Sequence, residues 1–156
     1  MSASVTAHYW NGTLYQTILS TADTGGAMSI TYGEAAPFTG PPAHVHAHED
    51  EVFVVLDGEI TFEVAGGSLS RGPMGTAFVP RGVPHSFMTG PSGARCITVL
   101  TPGGFEGFFA EMAYGKVQMP QDLATVAAIA ARYGSHFVGP GIAQKSASAH
   151  KEVQHA

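Results

Sequence analysis

Short runs of alternating apolar and polar residues occupy the chain from residue 12 to about residue 101. Each run is rich in Val, Ile, Thr, Tyr and Phe, which favour strands, and turn stretches such as DTGG, FTGPP and GPSG separate the runs. The spacing of runs and turns predicts an all-β sandwich or barrel. The predicted strands are TLYQTILS, AMSITYGEA, EVFVVLD, EITFEVA, GTAFVP, HSFMT and ARCITVL.

A change of period after residue 101 predicts two helices. The first, over about 104–114, has apolar residues at i, i+3, i+4 and i+7, and the second, over about 120–133, begins at Pro120. The apolar stripe of the first helix consists of Phe105, Phe108, Phe109 and Met112. Because such a stripe must be buried and a barrel of this size has an open mouth, we expect the helices to close one end of the barrel.

The length of 156 residues suits one domain, which we place at residues 1–142, followed by a polar tail at 143–156 that lacks periodicity. The formal net charge is −5, and the seven Lys and Arg residues form no cluster. This pattern excludes the basic patch that nucleic acid or an anionic membrane would require. Small-molecule partners are therefore favoured.

Cysteine usage and the N-terminal sequence bear on the compartment. Cys96 has no second cysteine to pair with, and we interpret it as a small buried apolar residue that fits a reducing compartment. The stretch MSASVTAHYWNGTLY lacks both a basic and an apolar region of the kind found in secretory signals. We expect a cytoplasmic protein.

The stretch HVHAHEDE, residues 44–51, concentrates ligand-type side chains. Strand alternation puts His44 and His46 on one face. If a hairpin with a four-residue loop at 47–50 follows, His46 and Glu51 lie opposite each other, about 5 Å apart at Cβ. Two imidazoles and a carboxylate would then converge on one point.

A competing register of the same hairpin uses His46 and His48 against Glu51. It leaves Glu49 and Asp50 as a two-residue loop, which would demand positive φ where Asn-Gly or Asp-Gly normally stands. Turn chemistry therefore favours the first register. In that register we expect His48, Glu49 and Asp50 to form an exposed loop.

Two histidines and one carboxylate form a facial triad that can hold a divalent transition metal and leave positions open for substrate or O₂. A further candidate ligand, His85, follows a Pro-rich turn in FVPRGVPHSFMTG, with Phe87 and Thr89 facing the same way along its strand. A lone histidine in such a place is more often a core residue than a ligand.

Both stretches match known motifs. GPPAHVHAHEDEVFVVLDG resembles the first motif of the cupin superfamily, and GTAFVPRGVPHSFMTG resembles the second, so together they cover about a third of the chain. The phrases DTGGAMSI, PPAHVHAHEDE, PRGVPHSF and TPGGFEGFF are similar to single-domain cupins called quercetin dioxygenase-like. The resemblance implies a double-stranded β-helix (jelly-roll) barrel with two short C-terminal helices. It also implies one divalent ion (Fe, Mn, Ni, Co, Cu or Zn) bound by His44, His46, Glu51 and His85.

The resemblance further implies a metal-dependent dioxygenase that acts on a small flavonol-like or polyketide-like phenolic or enolisable compound, with Glu51 as the catalytic base. Two alternatives stay open: a non-oxidative isomerase, cyclase or lyase, and a small-molecule-binding protein without turnover. The expected partners are the substrate, O₂ for a dioxygenase, and a second copy of the chain in a homodimer. The predicted substrate-binding residues are Phe53, Phe87, Thr89, Phe38, Phe105 and Phe109, although ordinary barrel packing explains Phe53 and Phe87 equally well.

Overall fold

The computed structural model describes the backbone of residues 6–154 and the side chains of residues 6–150. Within these residues the chain forms nine strands and three helices. The strands are β1 (Thr6–Trp10), β2 (Thr13–Leu19), β3 (Ser29–Ala35), β4 (Ala43–His46), β5 (Asp50–Val64), β6 (Gly67–Arg71), β7 (Thr76–Val79), β8 (His85–Thr101) and β9 (Ser135–Gly139). The helices are α1 (Glu106–Gly115), α2 (Leu123–Arg132) and α3 (Ile142–Gln154).

All strand pairs are antiparallel, and they curl into one sheet that forms a half-barrel. One path through the sheet runs β1-β2-β3-β8-β4-β9, while β5 pairs with β6, β7 and β8. The two longest strands, β5 and β8, pair along most of their length and bend at irregularities near Asp57 and Glu59. Because of these bends, β5 and β8 each contribute to two regions of the barrel wall.

Alternation along β5 explains how the sheet builds its interior. Glu51, Phe53 and Val55 are buried in turn before the bend, and Ile60 and Phe62 are buried after it. The side chains between them point outward and are more exposed, as the two-residue period of a strand requires. The same inner face therefore carries both the apolar core and an ionisable group.

A glycine at the bend allows β5 and β8 to approach each other closely. Gly58 has a φ of +75°, which side-chain-bearing residues rarely adopt, and an added Cβ would collide with the carbonyl oxygen of Gly93. Any larger residue at position 58 would therefore strain the turn and separate the strands.

The predicted all-β class with helices after the strands is confirmed. Pairs of predicted runs merge into the single strands β5 and β8, whereas β1, β6 and β9 were not predicted. The prediction of an irregular tail at 143–156 is wrong for its described part, because α3 spans Ile142–Gln154. Contacts with the barrel support this helix: Gln144 donates to the carbonyl of Gly40, and Lys145 pairs with Glu63. Residues 1–5 and 155–156 lie outside the described residues.

The C-terminal helices cover the barrel with a second apolar cluster. Its buried members are Leu100, Phe105, Phe108, Met112, Val126, Ile129 and Ala130. Trp10 from β1 joins the cluster, with its ring edge-on to Phe108 and its Nε1 donating to the carbonyl of Val117 at 2.6 Å. The apolar stripe predicted for the first helix is thus buried against the sheet. Among the described helices, none is long and apolar enough to cross a membrane.

Candidate metal centre

Four ligand-type side chains converge inside the barrel from three different strands. His44 and His46 extend from β4, Glu51 from β5 and His85 from the first position of β8, and all four are buried. Their candidate ligand atoms lie within 4.8 Å of one another. The Nε2 of His85 is 3.1 Å from a Glu51 oxygen, and the Nε2 of His46 is 3.8 Å from the same oxygen. The group could therefore hold one metal ion.

Register explains how β4 and β8 contribute together. His44 lies directly opposite His85 in the antiparallel pair, and their rings are 4.2 Å apart between centroids. The ring of His46 follows two residues later on the same face of β4 and approaches the ring of His44 to 5.0 Å. The strand pairing thus fixes the separation of the three imidazoles before any ion binds.

The outer ring nitrogens test whether these residues suit a metal. His44 donates through Nδ1 to the carbonyl of Pro42 at 2.9 Å, and His85 donates through Nδ1 to the carbonyl of Val83 at 3.1 Å. Each of these hydrogen bonds leaves the Nε2 atom of its ring facing the other candidate ligands. Histidines that bind metals usually have an oxygen partner on the other nitrogen in this way, because the partner fixes the tautomer and the ring orientation. The donor set and its orientation fit a divalent transition metal.

Electrostatics within the group favour a bound cation. Burial, followed by the neighbouring imidazoles, lowers the pKa of His44 to about 3, so this ring is neutral and able to act as a ligand. Burial alone would raise the pKa of Glu51, but the hydrogen bond from His85 and the nearby imidazoles outweigh it and lower that pKa. Burial would lower the pKa of His85, yet the bond to Glu51 raises it. A proton therefore lies between Glu51 and His85, and a metal ion binding here would displace it.

The group opens onto a largely apolar cavity of about 110 Å³. Phe105 from the start of α1 packs edge-on against the His46 ring, with centroids 4.5 Å apart. Tyr15, another residue of the cavity wall, stacks on Phe109 at 3.8 Å, and burial raises the pKa of Tyr15 to about 12. Its phenol is therefore neutral near pH 7 and can donate a hydrogen bond.

Comparison with known proteins agrees with this architecture. Residues 32–100 match the family described as cupin domain. Over this stretch, which is less than half of the 156 residues, the chain is similar to cupin domains. One curated relative is quercetin 2,3-dioxygenase of Bacillus subtilis (strain 168), which is 26% identical over 96 residues, or 62% of this chain. The match spans only 28% of that relative's length.

Solved structures show the same cupin fold. The polyketide cyclase RemF from Streptomyces resistomycificus is 29% identical over the aligned part, which covers 65% of this chain and 76% of that chain, with a TM-score of 0.53. A Streptomyces Pac13 variant with uridine aligns over 93% of both chains with a TM-score of 0.61, but its identity is 8%, so it supports the fold alone. An RmlC-like cupin from Shewanella frigidimarina aligns over 69% of this chain, with 17% identity and a TM-score of 0.58.

The cupin barrel brings together the four predicted ligands, but the predicted hairpin register is wrong. His46 was expected opposite Glu51, whereas it lies opposite Ser135 of β9, and Glu51 pairs with Val79 and Leu100. The segment after β4 therefore does not form the predicted hairpin, and the carbonyl of His46 accepts a hydrogen bond from the amide of Gly82. The strand face was predicted correctly because it depends on alternation alone, not on the partner strand.

The loop between β4 and β5 also differs in part from the expectation. His48 is exposed and outside the cluster, as the favoured register requires. Asp50 opens β5 and faces outward toward Arg81. Glu49 was predicted to be exposed and is instead buried, with 5% of its surface accessible. Alternation is the signal that identifies it, because Glu49 lies two residues before Glu51 and shares its side of the chain.

Among the predicted substrate-binding residues, one lies away from the site. Phe38 lies in the turn after β3 with a φ of +56°. Its side chain is 60% exposed at the surface and does not line the cavity. Phe105 and Phe109 line the cavity. Thr89 also lines it, but its hydroxyl donates to the carbonyl of Ala36 at 2.6 Å and so braces the wall.

The two barrel phenylalanines, Phe53 and Phe87, have both roles that the sequence left open. Each lines the cavity and each packs in the apolar core, with ring centroids 5.6 Å apart. Sequence reasoning missed Tyr15 and Trp10 as wall residues and described Cys96 only as a core residue, although it also lines the cavity. Whether these side chains line the cavity depends on how the whole sheet curls, which local patterns do not report.

Proposed function

We propose that this cupin is a mononuclear metal-dependent dioxygenase that acts on a small phenolic or enolisable compound. The observation that carries the proposal is the position of Glu51, whose ionised carboxylate lies among three imidazoles at the wall of an apolar cavity. A base and a cation site then face the same enclosed space. The likeness to quercetin 2,3-dioxygenase supports dioxygenase chemistry on a phenolic substrate.

The cavity limits the substrate in size and polarity. The cavity has a volume of about 110 Å³. An apolar cavity of about 150 Å³ binds benzene, so this cavity suits compounds with a single aromatic ring. A flavonol with three rings would require the start of helix α1, which carries Phe105 and Phe109, to move outward. Single-ring phenols and compact enols are therefore the first candidates.

The residues of this chain would have distinct roles. When bound, a divalent ion would supply Lewis acidity that lowers the pKa of a substrate hydroxyl. Glu51 would accept the proton of that hydroxyl, since its carboxylate is ionised near pH 7. The phenyl walls would exclude water and strengthen the electrostatic stabilisation of the resulting anion. That electron-rich anion is the species that would react with O₂.

A second candidate is a non-oxidative cyclase of polyketide-like compounds. The likeness to the polyketide cyclase RemF favours it, because the aligned part is 29% identical and covers 76% of that chain, compared with 28% of the quercetin dioxygenase. The same base and ion would promote enolisation, and the enolate would attack a carbonyl of the same substrate without O₂.

Two measurements on one preparation separate these candidates. Protein purified without a His tag is analysed for metals, and the loaded form is screened with single-ring phenols, flavonols and polyketide-like enols in an oxygen electrode, with product detection by mass spectrometry. Oxygen consumption that matches product formation supports the dioxygenase. Product without oxygen consumption supports the cyclase and overturns our first proposal. Binding of a ligand without any product would indicate a small-molecule-binding protein.

The homodimer and the cytoplasmic location stay predictions.

A further inference from the structure

Glu49 is a buried carboxylate that the proposed mechanism does not use. Only 5% of its surface is accessible, and its Oε2 has no hydrogen-bond partner among the described residues. Burying a carboxylate without a hydrogen-bond partner is unfavourable, because the group loses its hydration and gains nothing in return. Its placement therefore needs a reason, and the nearest group supplies one.

The group that faces Glu49 is the outer nitrogen of a candidate ligand. The Nδ1 of His46 lies 3.5 Å from Glu49 Oε2, and this nitrogen is likewise without a hydrogen-bond partner among the residues described. The other two histidines differ, since Pro42 and Val83 each provide a carbonyl to the outer nitrogen. Among the three candidate histidine ligands, His46 is thus the one whose Nδ1 would have a carboxylate as its hydrogen-bond partner.

We propose that Glu49 is a positioning residue of the metal centre, whose carboxylate accepts the Nδ1 proton of His46 and holds Nε2 toward the ion. This inference rests on the metal-binding part of the proposed function and is independent of the reaction catalysed. A carboxylate partner fixes the tautomer and makes the imidazole a more basic ligand than a carbonyl partner does. Glu49 would therefore strengthen metal binding through His46 without touching the ion.

Charge strengthens the same conclusion. A divalent ion with Glu51 as its anionic ligand leaves one positive charge in a buried, largely apolar site. The carboxylate of Glu49 behind His46 would neutralise that charge at close range, where burial prevents screening by salt. Removing this negative charge should therefore weaken the retention of any divalent ion.

The loop around Glu49 is fixed by contacts that do not involve it. The amide of Ala47 donates to the carbonyl of Gly134 at 2.8 Å, and Asp50 forms a two-pronged ion pair with Arg81 at the surface. The backbone on both sides of Glu49 is thus anchored. A change of the Glu49 side chain should alter its contact with His46 while leaving the path of the loop intact.

The adjacent carboxylate provides a matched control. Glu49→Gln and Asp50→Asn each remove one negative charge from neighbouring positions, but only the first faces His46. We would measure the dissociation constant of Zn²⁺ by competition with a chromophoric chelator for the full chain and both variants. We expect Glu49→Gln to weaken Zn²⁺ binding 10- to 100-fold, the range typical of an outer partner, and Asp50→Asn to change it less than about threefold.

Two further readouts separate positioning from a merely structural role. The visible absorption spectrum of the Co²⁺-loaded protein reports ligand geometry and should shift in Glu49→Gln but not in Asp50→Asn. The melting temperatures of the metal-free wild type and Glu49→Gln should be equal, because Gln has the same size and its amide oxygen can still accept from His46, whereas a merely structural role of the charge would lower the value for Glu49→Gln. If Glu49→Gln fails to fold, Glu49→Asp keeps the charge but shortens the reach toward His46, and it should show an intermediate loss of affinity.

Equal Zn²⁺ affinities and unchanged Co²⁺ spectra in Glu49→Gln and wild type would overturn this inference and leave the proposed function intact. Equal losses in Glu49→Gln and Asp50→Asn would also overturn it, since the effect would then be one of net charge. A wild-type protein that binds neither Zn²⁺ nor Co²⁺ would overturn both the inference and the proposed function.

Discussion

Truncating Phe108 should reveal how much the helical cover contributes to the barrel. Phe108 is 4% exposed, and its ring lies 5.5 Å from Trp10 and 5.1 Å from Phe105, between centroids. The Phe108→Ala change removes a buried ring from the junction of β1 with α1. No part of this side chain belongs to the metal ligands, so the perturbation acts on packing.

The magnitude follows from burial and from the ring contacts. Transfer of a buried Phe side chain to water costs about 2–3 kcal/mol, and the lost ring pairs and the cavity left behind bring the total to about 3–5 kcal/mol. Domains of this kind have a free energy of unfolding of about 5–15 kcal/mol, so the loss is a large fraction of the whole. For a chain of this size it corresponds to a fall in melting temperature of roughly 6–20 °C.

The assay is urea unfolding followed by far-UV circular dichroism, with Phe78→Ala as the matched control. Phe78 is 59% exposed on β7, so the same chemical change there should alter the free energy of unfolding by about 0.5 kcal/mol or less. If helix α1 covers the site, a chelator should also remove the ion faster from Phe108→Ala than from Phe78→Ala. Similar stabilities of the two variants would refute the packing argument, and equal rates of metal removal would refute the covering role.

Three further predictions test the site. Glu51→Gln, loaded to the metal content of wild type as checked by elemental analysis, should lose turnover by about 10²-fold or more, because an amide can still offer an oxygen but cannot accept the proton; full activity would leave Glu51 as a ligand only. Tyr15 should ionise near pH 12 by absorbance at 295 nm, in a step that Tyr15→Phe removes. Its folded form keeps the proton longer than the unfolded form, so the free energy of unfolding should fall as the pH rises from about 10 to about 12. Zn²⁺ at a hundredfold excess over its dissociation constant should stabilise the protein by about 2.7 kcal/mol, an effect that His85→Ala should abolish.

The sequence predicts those features that depend on local periodicity. Alternation along β5 determines that Phe53 and Glu51 share an inner face, and the stripe of Phe105 and Phe108 determines which side of α1 is buried. Neither conclusion needs knowledge of the partner strand. Alternation alone also places His44 and His46 on one face, whereas the full ligand set with Glu51 and His85 was implied by the resemblance to the two cupin motifs.

Features that depend on distant partners could not be predicted in this way. Strand β9 is short, and it pairs with β4 across about ninety residues of sequence, so no local signal reports it. Helix α3 has few apolar residues and is supported by contacts such as that of Lys145 with Glu63. Phe38 lies in the turn after β3 with a positive φ, which its residue type disfavours, and its ring is exposed. For β9 and α3, tertiary contacts override the local preference.

The three consecutive carboxylates at positions 49–51 show how alternation assigns different roles to similar residues. Glu49 and Glu51 are buried on the inner side, whereas Asp50 between them faces Arg81 at the surface. Each inner carboxylate faces His46, Glu49 at its outer nitrogen and Glu51 at its inner nitrogen. Two negative charges of this kind balance one divalent cation, so the loaded site would be neutral. A neutral site is the arrangement that an apolar cavity tolerates best, because a buried net charge would carry a large desolvation cost.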